Sequence, residues 1–318
     1  MIIKRNQQTQ SVRIDRRDKL PDGFQEASNN FNLGHIINFE KVSGNMNKNY
    51  SVTTENNNQF IFKALVKHSL EDLKTEIIYL RRLREHNFSA AYYVEDIHGS
   101  SIFKYGNNII IVQPKLKGTS PSFTTDVCFS IGQNIAKLHL IPRHNLPERD
   151  HWLKNPFLSD KISLIQSNLP DQAQRFQEVF DSLADFEYLN LPTAIVHGDL
   201  YASNCLYDGN NLVAILDWEE VGIAPAILDL GTCVFNFCFE DDIFHPKLYK
   251  TMIDGYQRYR PLNKLEKESI NLAIKYVALT LSSWRLIQFG VYNPDPVIVK
   301  KSEIYWKIGL DHLQLPII

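Results

Sequence analysis

The pattern of apolar residues changes near residue 118. Between residues 36 and 116 it consists of short runs rich in β-branched and aromatic residues, separated by turns at 55–58 and 106–108. After residue 119 helical spacing dominates. A chain of 318 residues is also longer than one compact core usually supports. The sequence therefore predicts an α+β protein with a small antiparallel β lobe containing one helix and a larger, mainly helical lobe.

Within each part a few segments depart from the dominant pattern. Leu70, Leu73, Ile77, Leu80 and Leu83 recur at spacings of three and four, which predicts the single helix of the β-rich part. In the helical part, three strand-like runs, TAIVHGDL, NCLY and LVAILDW, surround a turn at 208–210. The long stretch LEKESINLAIKYVALTLSSWRLIQF is typical of a buried helix. We place the two lobes at residues 31–118 and 119–318.

Residues 1–30 are polar and lie outside both patterns. Such a stretch cannot bury enough apolar surface to offset the entropy lost on ordering. It predicts a flexible arm rather than a nucleic-acid contact. Its charged residues are mostly basic: Lys4, Arg5, Arg13, Arg16, Arg17 and Lys19 against Asp15 and Asp18.

Composition excludes several classes of protein. The formal net charge of -2 argues against a protein that coats nucleic acid. No apolar run approaches the roughly 20 residues that span a bilayer, and the polar start lacks a secretory core. We therefore expect a cytoplasmic protein with no membrane partner. The four cysteines are too scattered for a disulfide framework and show no zinc-binding spacing.

The segment IVHGDLYASNCLY, followed by VAILDWEE, carries the residues with the clearest chemistry. Phosphoryl transfer needs a carboxylate that orients or accepts the proton of the attacking hydroxyl, and hard oxygen ligands for Mg²⁺. Taken singly, Asp199 and Asn204 could be turn or cap residues. Asp217, however, ends an apolar strand, where a charge needs a partner. Together the three predict a phosphotransferase site, with Asp199 as the base and Asn204 and Asp217 as magnesium ligands.

These segments resemble a known superfamily. HGDL at 197–200, with Asn204 and LDWE at 216–219, is similar to the Brenner-type motif and metal-binding aspartate of the aminoglycoside phosphotransferase and choline kinase superfamily. The resemblance implies a protein-kinase-like bilobal fold with ATP and Mg²⁺ as cofactors. It also implies that the histidine of HGDL supports the catalytic loop and that Asp229 holds this loop in place, with a buried cap as the alternative for Asp229. We expect a structural role for His139, on an apolar helix face.

The small lobe can be compared with the needs of a kinase. A kinase requires a strand lysine for the phosphates, positioned by a glutamate on the next helix. Lys63 in FIFKAL and Glu76 satisfy this pattern, because Glu76 shares a helix face with Leu73 and Leu80. The alternative is two solvated surface charges. The remaining predicted nucleotide contacts lie in a glycine-poor loop and in the linker between lobes: Gly44, Asn45, Gln113 and Leu116.

The C-terminal part bears a narrower resemblance, to the kinase-like form of homoserine kinase. It rests on FNFCFE, MIDGYQRYRPLNKLE and NPDP, whereas HGD and WEE lean toward aminoglycoside or amino-alcohol kinases. A homoserine site must pair a carboxylate with a cation, for which Arg285 is a candidate. Aminoglycoside ammonium groups would need carboxylates such as Glu219, Glu220 and residues 240–242. A choline-like site would need an aromatic cage from Trp284, Tyr305 or Trp306.

The sequence thus predicts an ATP- and Mg²⁺-dependent enzyme that transfers the γ-phosphoryl group to the hydroxyl of a small molecule, with an amino alcohol such as homoserine favoured. Aminoglycoside or choline/ethanolamine kinases are the alternatives. A catalytically silent kinase-like sensor that binds a nucleotide is the alternative from another class. The sequence does not determine the oligomeric state.

Overall fold

The computed structural model of the chain describes residues 19–42, 47–65, 69–149, 153, 157–183, 186, 191–240 and 243–300. The chain divides into two compact units. The smaller unit contains the residues up to Gly118 together with Val213–Glu219, and the larger unit contains Thr119–Leu212 and the chain from Glu220 onward. The division after Gly118 falls where the apolar pattern changes. The sequence boundaries did not include the second segment of the smaller unit.

The smaller unit is built on an antiparallel sheet of five strands in the order β1-β2-β3-β5-β4. The strands correspond to the β-rich runs predicted from the sequence. Successive side chains of a strand point to opposite faces, so Phe62, fully buried in the core, and its neighbour Lys63 lie on different faces of the sheet. The strand bounds are β1 (Ile36–Val42), β2 (Lys48–Thr54), β3 (Gln59–Leu65), β4 (Phe103–Tyr105) and β5 (Asn108–Pro114).

A short helix, α1 (Phe24–Asn30), belongs to this core. Phe24, Ala27 and Phe31 are buried in one cluster with Val52, Phe62 and other strand residues. Their spacing of three and four places them on one helix face. The arm expected over residues 1–30 is therefore corrected for residues 24–30, because the apolar side chains of α1 offset its ordering entropy. Residues 1–18 lie outside the described part of the chain.

The predicted helix is α2 (Leu70–Glu85). It begins at an N-cap, where the Ser69 hydroxyl accepts a hydrogen bond from the backbone N–H of Asp72 at 3.0 Å. Leu73 and Leu80 are buried on its inner face, and Glu76 lies between them with only 2% of its surface exposed. The inward orientation predicted for Glu76 is confirmed. With α1, however, the smaller unit has a second helix that the sequence did not indicate.

The larger unit is mainly helical, as predicted. Among its described strands, β6 (Thr193–Val196) pairs with β9 (Gly222–Pro225), and β10 (Phe239–Glu240) pairs with β11 (Ile243–Phe244), both antiparallel. The helices are α3 (Thr125–Leu140), α4 (Phe157–Asn168), α5 (Pro170–Asp181), α6 (Ala226–Phe237), α7 (Pro246–Gln257) and α8 (Lys264–Leu286), the last followed by a π-helical turn, Ile287–Tyr292. β7 (Cys205–Asp208) also belongs to this unit, and β8 (Asn211–Ile215) begins in it and ends in the segment assigned to the smaller unit. Within the described residues, no helix combines the length and apolar character required to cross a bilayer.

Helices α3 and α7 touch through their backbones at two glycines. A methyl group at Gly132 would overlap the carbonyl oxygen of Met252 and lie 2.8 Å from the backbone nitrogen of Tyr256. A methyl group at Gly255 would overlap the carbonyl oxygen of Phe129. Because backbone atoms cannot rotate away as a side chain can, glycine at both positions is required for this close approach.

We expect Gly132→Ala to lower the free energy of unfolding by about 1–3 kcal/mol, because steric overlap outweighs the gain in helix propensity of about 1 kcal/mol. Gly231→Ala is the matched control. It makes the same change on a helix of the same unit, where the added methyl would meet its nearest atom, on Ala273, at 3.3 Å. Urea denaturation should show a clearly smaller loss for the control. Equal losses would contradict the backbone contact.

Candidate active site

The predicted catalytic loop follows β6 and is held by its own hydrogen bonds. His197 is fully buried, and its Nδ1 accepts the backbone N–H of Asp199 at 3.2 Å. The Asn204 amide, at the end of a 3₁₀ turn, donates from Nδ2 to the carbonyl oxygen of Asp199 at 2.9 Å. The backbone of Asp199 is therefore fixed on both sides, while the residue itself remains partly exposed.

Asp229 fixes the same loop from the first turn of α6. Its Oδ1 accepts the backbone N–H of Gly198 at 2.9 Å, and its Oδ2 accepts that of His197 at 3.1 Å. The carboxyl group is fully buried. Burial alone would raise the pKa of Asp229, but the hydrogen bonds from His139 and Gly198 hold this pKa below its usual value. The structure thus shows the loop-holding contact that the sequence resemblance implied, rather than a simple cap.

A second set of predicted residues lies in the smaller unit, on the segment after β8. Ile215 anchors this segment, because its backbone exchanges hydrogen bonds with Ser89 and Ala91 at 2.9 and 3.0 Å. Trp218 is buried against Phe88, with ring centroids 5.8 Å apart. Between these anchors, Asp217 adopts a left-handed backbone conformation with φ of 61°. This conformation is uncommon outside glycine but is tolerated by aspartate.

The Asp217 carboxylate has the character expected of a metal ligand. Its Oδ1 is buried and has no hydrogen-bond partner among the described residues, although Lys63 Nζ lies 3.6 Å away. The side chain as a whole is 45% exposed. An anionic oxygen without a donor suits a hard divalent cation. Asn204 also fits such an ion, because its nitrogen is committed to the Asp199 carbonyl and its amide oxygen is the group left for a cation.

Among the described carboxyl groups of the smaller unit, Glu76 has the most strongly shifted pKa. Tyr93, itself buried, donates its hydroxyl to Glu76 Oε1. Burial raises the pKa of Glu76 to about 7. The hydrogen bond from Tyr93 and the positive charge of Lys63 act in the opposite direction, while the carboxylates of Glu219 and Asp217 add to the rise. The charge of Lys63 therefore acts on Glu76, within a cluster that also contains Asp217.

Glu219, predicted as a substrate contact, accepts a hydrogen bond from Asn47 at 2.7 Å between Nδ2 and Oε1. This contact joins the residue just before β2 to the segment after β8, both in the smaller unit. Gln113, at the end of β5, donates from Nε2 to the carbonyl oxygen of Ala91 at 3.1 Å. Its side chain is thus bound to Ala91, the residue whose backbone N–H donates to Ile215. Leu116, in the predicted linker, is half-buried.

The predicted substrate residues Trp284 and Arg285 lie in the larger unit, at the C-terminal end of α8. Trp284 is 45% exposed and packs edge-on against Phe289 of the π-helical turn, with centroids 6.0 Å apart. Arg285 is half-buried. Several other predicted contacts lie outside the described residues, namely Gly44, Asn45, Asp241, Asp242, Tyr305 and Trp306.

The structure thus gathers Lys63, Glu76, Asp217 and Glu219 in the smaller unit, and Asp199 and Asn204 on one loop of the larger unit. Sequence reasoning missed the two residues that position members of the first group, Tyr93 and Asn47. Both lie outside regular elements, where no apolar spacing marks a buried contact. A tyrosine inside the apolar run AAYYV was the only available signal for Tyr93.

The raised pKa of Glu76 predicts a specific pH dependence of stability. Because the folded state binds this proton more tightly than the unfolded chain, the associated stability is present below pH 4.5 and is lost as the pH rises to about 7. We expect wild type to lose about 3 kcal/mol relative to Glu76→Gln across this window. Urea denaturation at several pH values measures the difference. Glu71→Gln, an exposed change on the same helix, should leave the pH dependence close to that of wild type, and parallel curves for Glu76→Gln would refute the assignment.

Comparisons with known proteins agree with this geometry. Residues 40–264 match the model of the phosphotransferase enzyme family. A homoserine kinase of Pseudomonas aeruginosa is 23% identical over 277 residues, covering 85% of this chain and 87% of its own length. A homoserine kinase of Polaromonas naphthalenivorans is 25% identical over 254 residues, covering 74% and 77%.

Solved structures show the same fold at lower identity. A microcompartment-associated aminopropanol kinase superposes with a TM-score of 0.70 at 19% identity, covering 86% of this chain and 90% of its own. The amicoumacin kinase hAmiN, in complex with AMP-PNP, Ca²⁺ and Ami, gives a TM-score of 0.69 at 15% identity, covering 85% and 87%. The predicted superfamily and its α+β fold are confirmed. The chain belongs to the phosphotransferase enzyme family.

Proposed function

We propose that this protein transfers the γ-phosphoryl group of ATP, with Mg²⁺, to the hydroxyl group of a small amino alcohol such as homoserine. The observation that carries the proposal is the rigid presentation of Asp199. Both peptide groups of Asp199 are hydrogen-bonded, and the two residues before it are held by the buried Asp229. A carboxylate carried on a backbone fixed in this way can orient the attacking hydroxyl and accept its proton.

The other site residues are assigned to the phosphates, the metal ion and the nucleotide. Lys63 would neutralise phosphate charge, with Glu76 acting on Lys63 from the buried side. Asp217 and Asn204 would hold the magnesium ion, which supplies charge stabilisation at the transferring group when bound. Gln113 and Leu116, and Gly44 and Asn45 of the glycine-poor loop, are the proposed nucleotide contacts. The assignment of Asp217 is supported by its buried oxygen without a donor.

Homoserine is favoured over other amino alcohols because a cation and a carboxylate are available for its two charged groups. Arg285 would bind the α-carboxylate, Glu219 the ammonium group, and Trp284 would cover the carbon chain. The homoserine kinases that this chain resembles along most of its length support this choice. Amino alcohols without a carboxylate, and aminoglycosides, are the competing acceptors, and the test below separates them.

The mechanism predicts that Asp199→Asn lowers kcat by about 100-fold to 10,000-fold, because an amide cannot accept the proton. Nucleotide binding should remain nearly unchanged, since none of the proposed nucleotide contacts is altered. An assay of ADP release over homoserine, ethanolamine, choline and aminoglycosides measures turnover, and thermal shift with ATP and Mg²⁺ measures binding. Asp208→Asn, the same change on an exposed residue at the end of β7, is the matched control.

Each outcome of this panel has a definite meaning. Unchanged turnover in Asp199→Asn would exclude Asp199 as the base. Binding of ATP by wild type without turnover of any acceptor would instead favour a silent nucleotide-binding sensor. Turnover of an aminoglycoside or choline, but not homoserine, would move the substrate assignment to those classes.

Arg285 allows a separate test of the acceptor. Arg285→Ala should raise KM for homoserine by about 10-fold to 100-fold, because a charge-assisted hydrogen bond is lost. KM for ATP should be unchanged, and turnover of ethanolamine, which has no carboxylate, should not respond. Arg258→Ala, an exposed arginine after α7, controls for loss of a positive charge. Equal effects of Arg285→Ala on homoserine and ethanolamine would contradict carboxylate recognition.

A further inference from the structure

A line of buried hydrogen bonds leads from Asp229 into α3 and α7. His139 Nε2 lies 3.1 Å from Asp229 Oδ2, and His139 Nδ1 lies 2.7 Å from the hydroxyl of Tyr256. Both His139 and Tyr256 are buried, with 7% and 0% of their surfaces exposed. The predicted structural role of His139 is therefore one step in a longer connection, which no sequence pattern indicated.

The line continues to the N-terminus of α8. Arg260 donates one hydrogen bond to the Tyr256 hydroxyl at 2.9 Å and another to Glu266 Oε1 at 2.7 Å. Glu266 is buried, and its Oε2 accepts the backbone N–H of Asn263, the N-cap of α8. Asn263 in turn accepts the backbone N–H of Glu266, which completes a capping box. Arg260 is therefore held in place by a helix end.

The hydrogen bonds of this line can all be donated in one direction, from Arg260 toward Asp229. Arg260 has only N–H donors, so the Tyr256 hydroxyl must accept from it and can give its own proton to His139 Nδ1. Burial lowers the pKa of His139, which favours the neutral ring. A neutral ring that accepts at Nδ1 carries its proton on Nε2, where it donates to the Asp229 carboxylate. Tyr256 thus selects the histidine tautomer that Asp229 requires.

We propose that Tyr256 and Arg260 are positioning residues for phosphoryl transfer, acting on the Asp199 loop through His139 and Asp229. The inference rests on the proposed function in one respect, since it takes Asp199 as the base. Without the Tyr256 hydroxyl, Nδ1 of the buried ring loses its donor, and the Asp229 carboxylate alone favours the proton on Nε2. In the other tautomer a lone pair of Nε2 would face the carboxylate. The hydrogen bonds from the His197 and Gly198 amides to Asp229 would then weaken.

The first test is Tyr256→Phe, compared with Tyr259→Phe. Both changes remove one hydroxyl, but Tyr259 is 45% exposed. Tyr256→Phe should lower kcat by about 10-fold to 100-fold, as expected when a reacting group is slightly misplaced, with KM for ATP unchanged. The control should match wild type. Wild-type kcat in Tyr256→Phe would overturn the proposal.

A double-mutant cycle separates the tautomer mechanism from a general packing effect. In the His139→Gln background an amide N–H can face Asp229 whatever residue occupies position 256. Adding Tyr256→Phe there should change kcat by less than about twofold, because the two sites no longer interact. An equal loss in both backgrounds would overturn the proposal and leave Tyr256 as a packing residue.

A readout independent of turnover distinguishes failure of this inference from failure of the proposed function. Hydrogen exchange should be faster at the His197 and Gly198 amides in Tyr256→Phe than in Tyr259→Phe, at equal global stability. If wild type phosphorylates no acceptor, the proposed function fails and the exchange rates alone decide. Equal exchange in the two variants would overturn the positioning role.

Discussion

The buried carboxylate of Asp229 is the contact on which the catalytic loop depends. An ion without partners in a protein interior is strongly unfavourable, so Asp229 must keep its donors. Two of these are consecutive backbone N–H groups, at His197 and Gly198, and the third is the ring of His139. The loop cannot move away without leaving the buried carboxylate short of hydrogen-bond donors. Its rigidity therefore follows from the electrostatics of one residue on α6 as well as from the hydrogen bonds within the loop.

The smaller unit handles charge in the opposite way. Glu76 is as deeply buried as Asp229, but burial outweighs its hydrogen bond from Tyr93 and the charge of Lys63, so its pKa rises to about 7. Nearby carboxylates at Asp217 and Glu219 increase the imbalance. Such a cluster of carboxyl groups around the single charge of Lys63 favours the binding of an added cation. This excess of negative charge supports the metal-ligand role proposed for Asp217.

Local patterns in the sequence were sufficient for much of this arrangement. The spacing of leucines around Glu76 predicted its inward position, and the run FIFKAL placed Lys63 on a strand among apolar residues. The contacts that the sequence did not predict join residues that are far apart in the chain. Ile215 pairs with Ser89 and Ala91 across a long stretch of chain, which returns Asp217 to the smaller unit. No periodicity encodes such a pairing. Helix α1 was missed because its apolar residues, Phe24 and Ala27 with Phe31 at the C-cap, are separated by polar neighbours.

The close contact of α3 and α7 explains how a hydrogen bond can reach Asp229 from outside the loop. His139 lies seven residues after Gly132, hence on the same face of α3, and Tyr256 directly follows Gly255 on α7. Backbone contact at the glycines brings the Tyr256 hydroxyl within 2.7 Å of His139. If larger residues moved the helices apart by about 1 Å, this separation would exceed hydrogen-bond range. The two glycines therefore affect more than helix packing, because the geometry of the Asp199 loop depends on the helix separation that they allow.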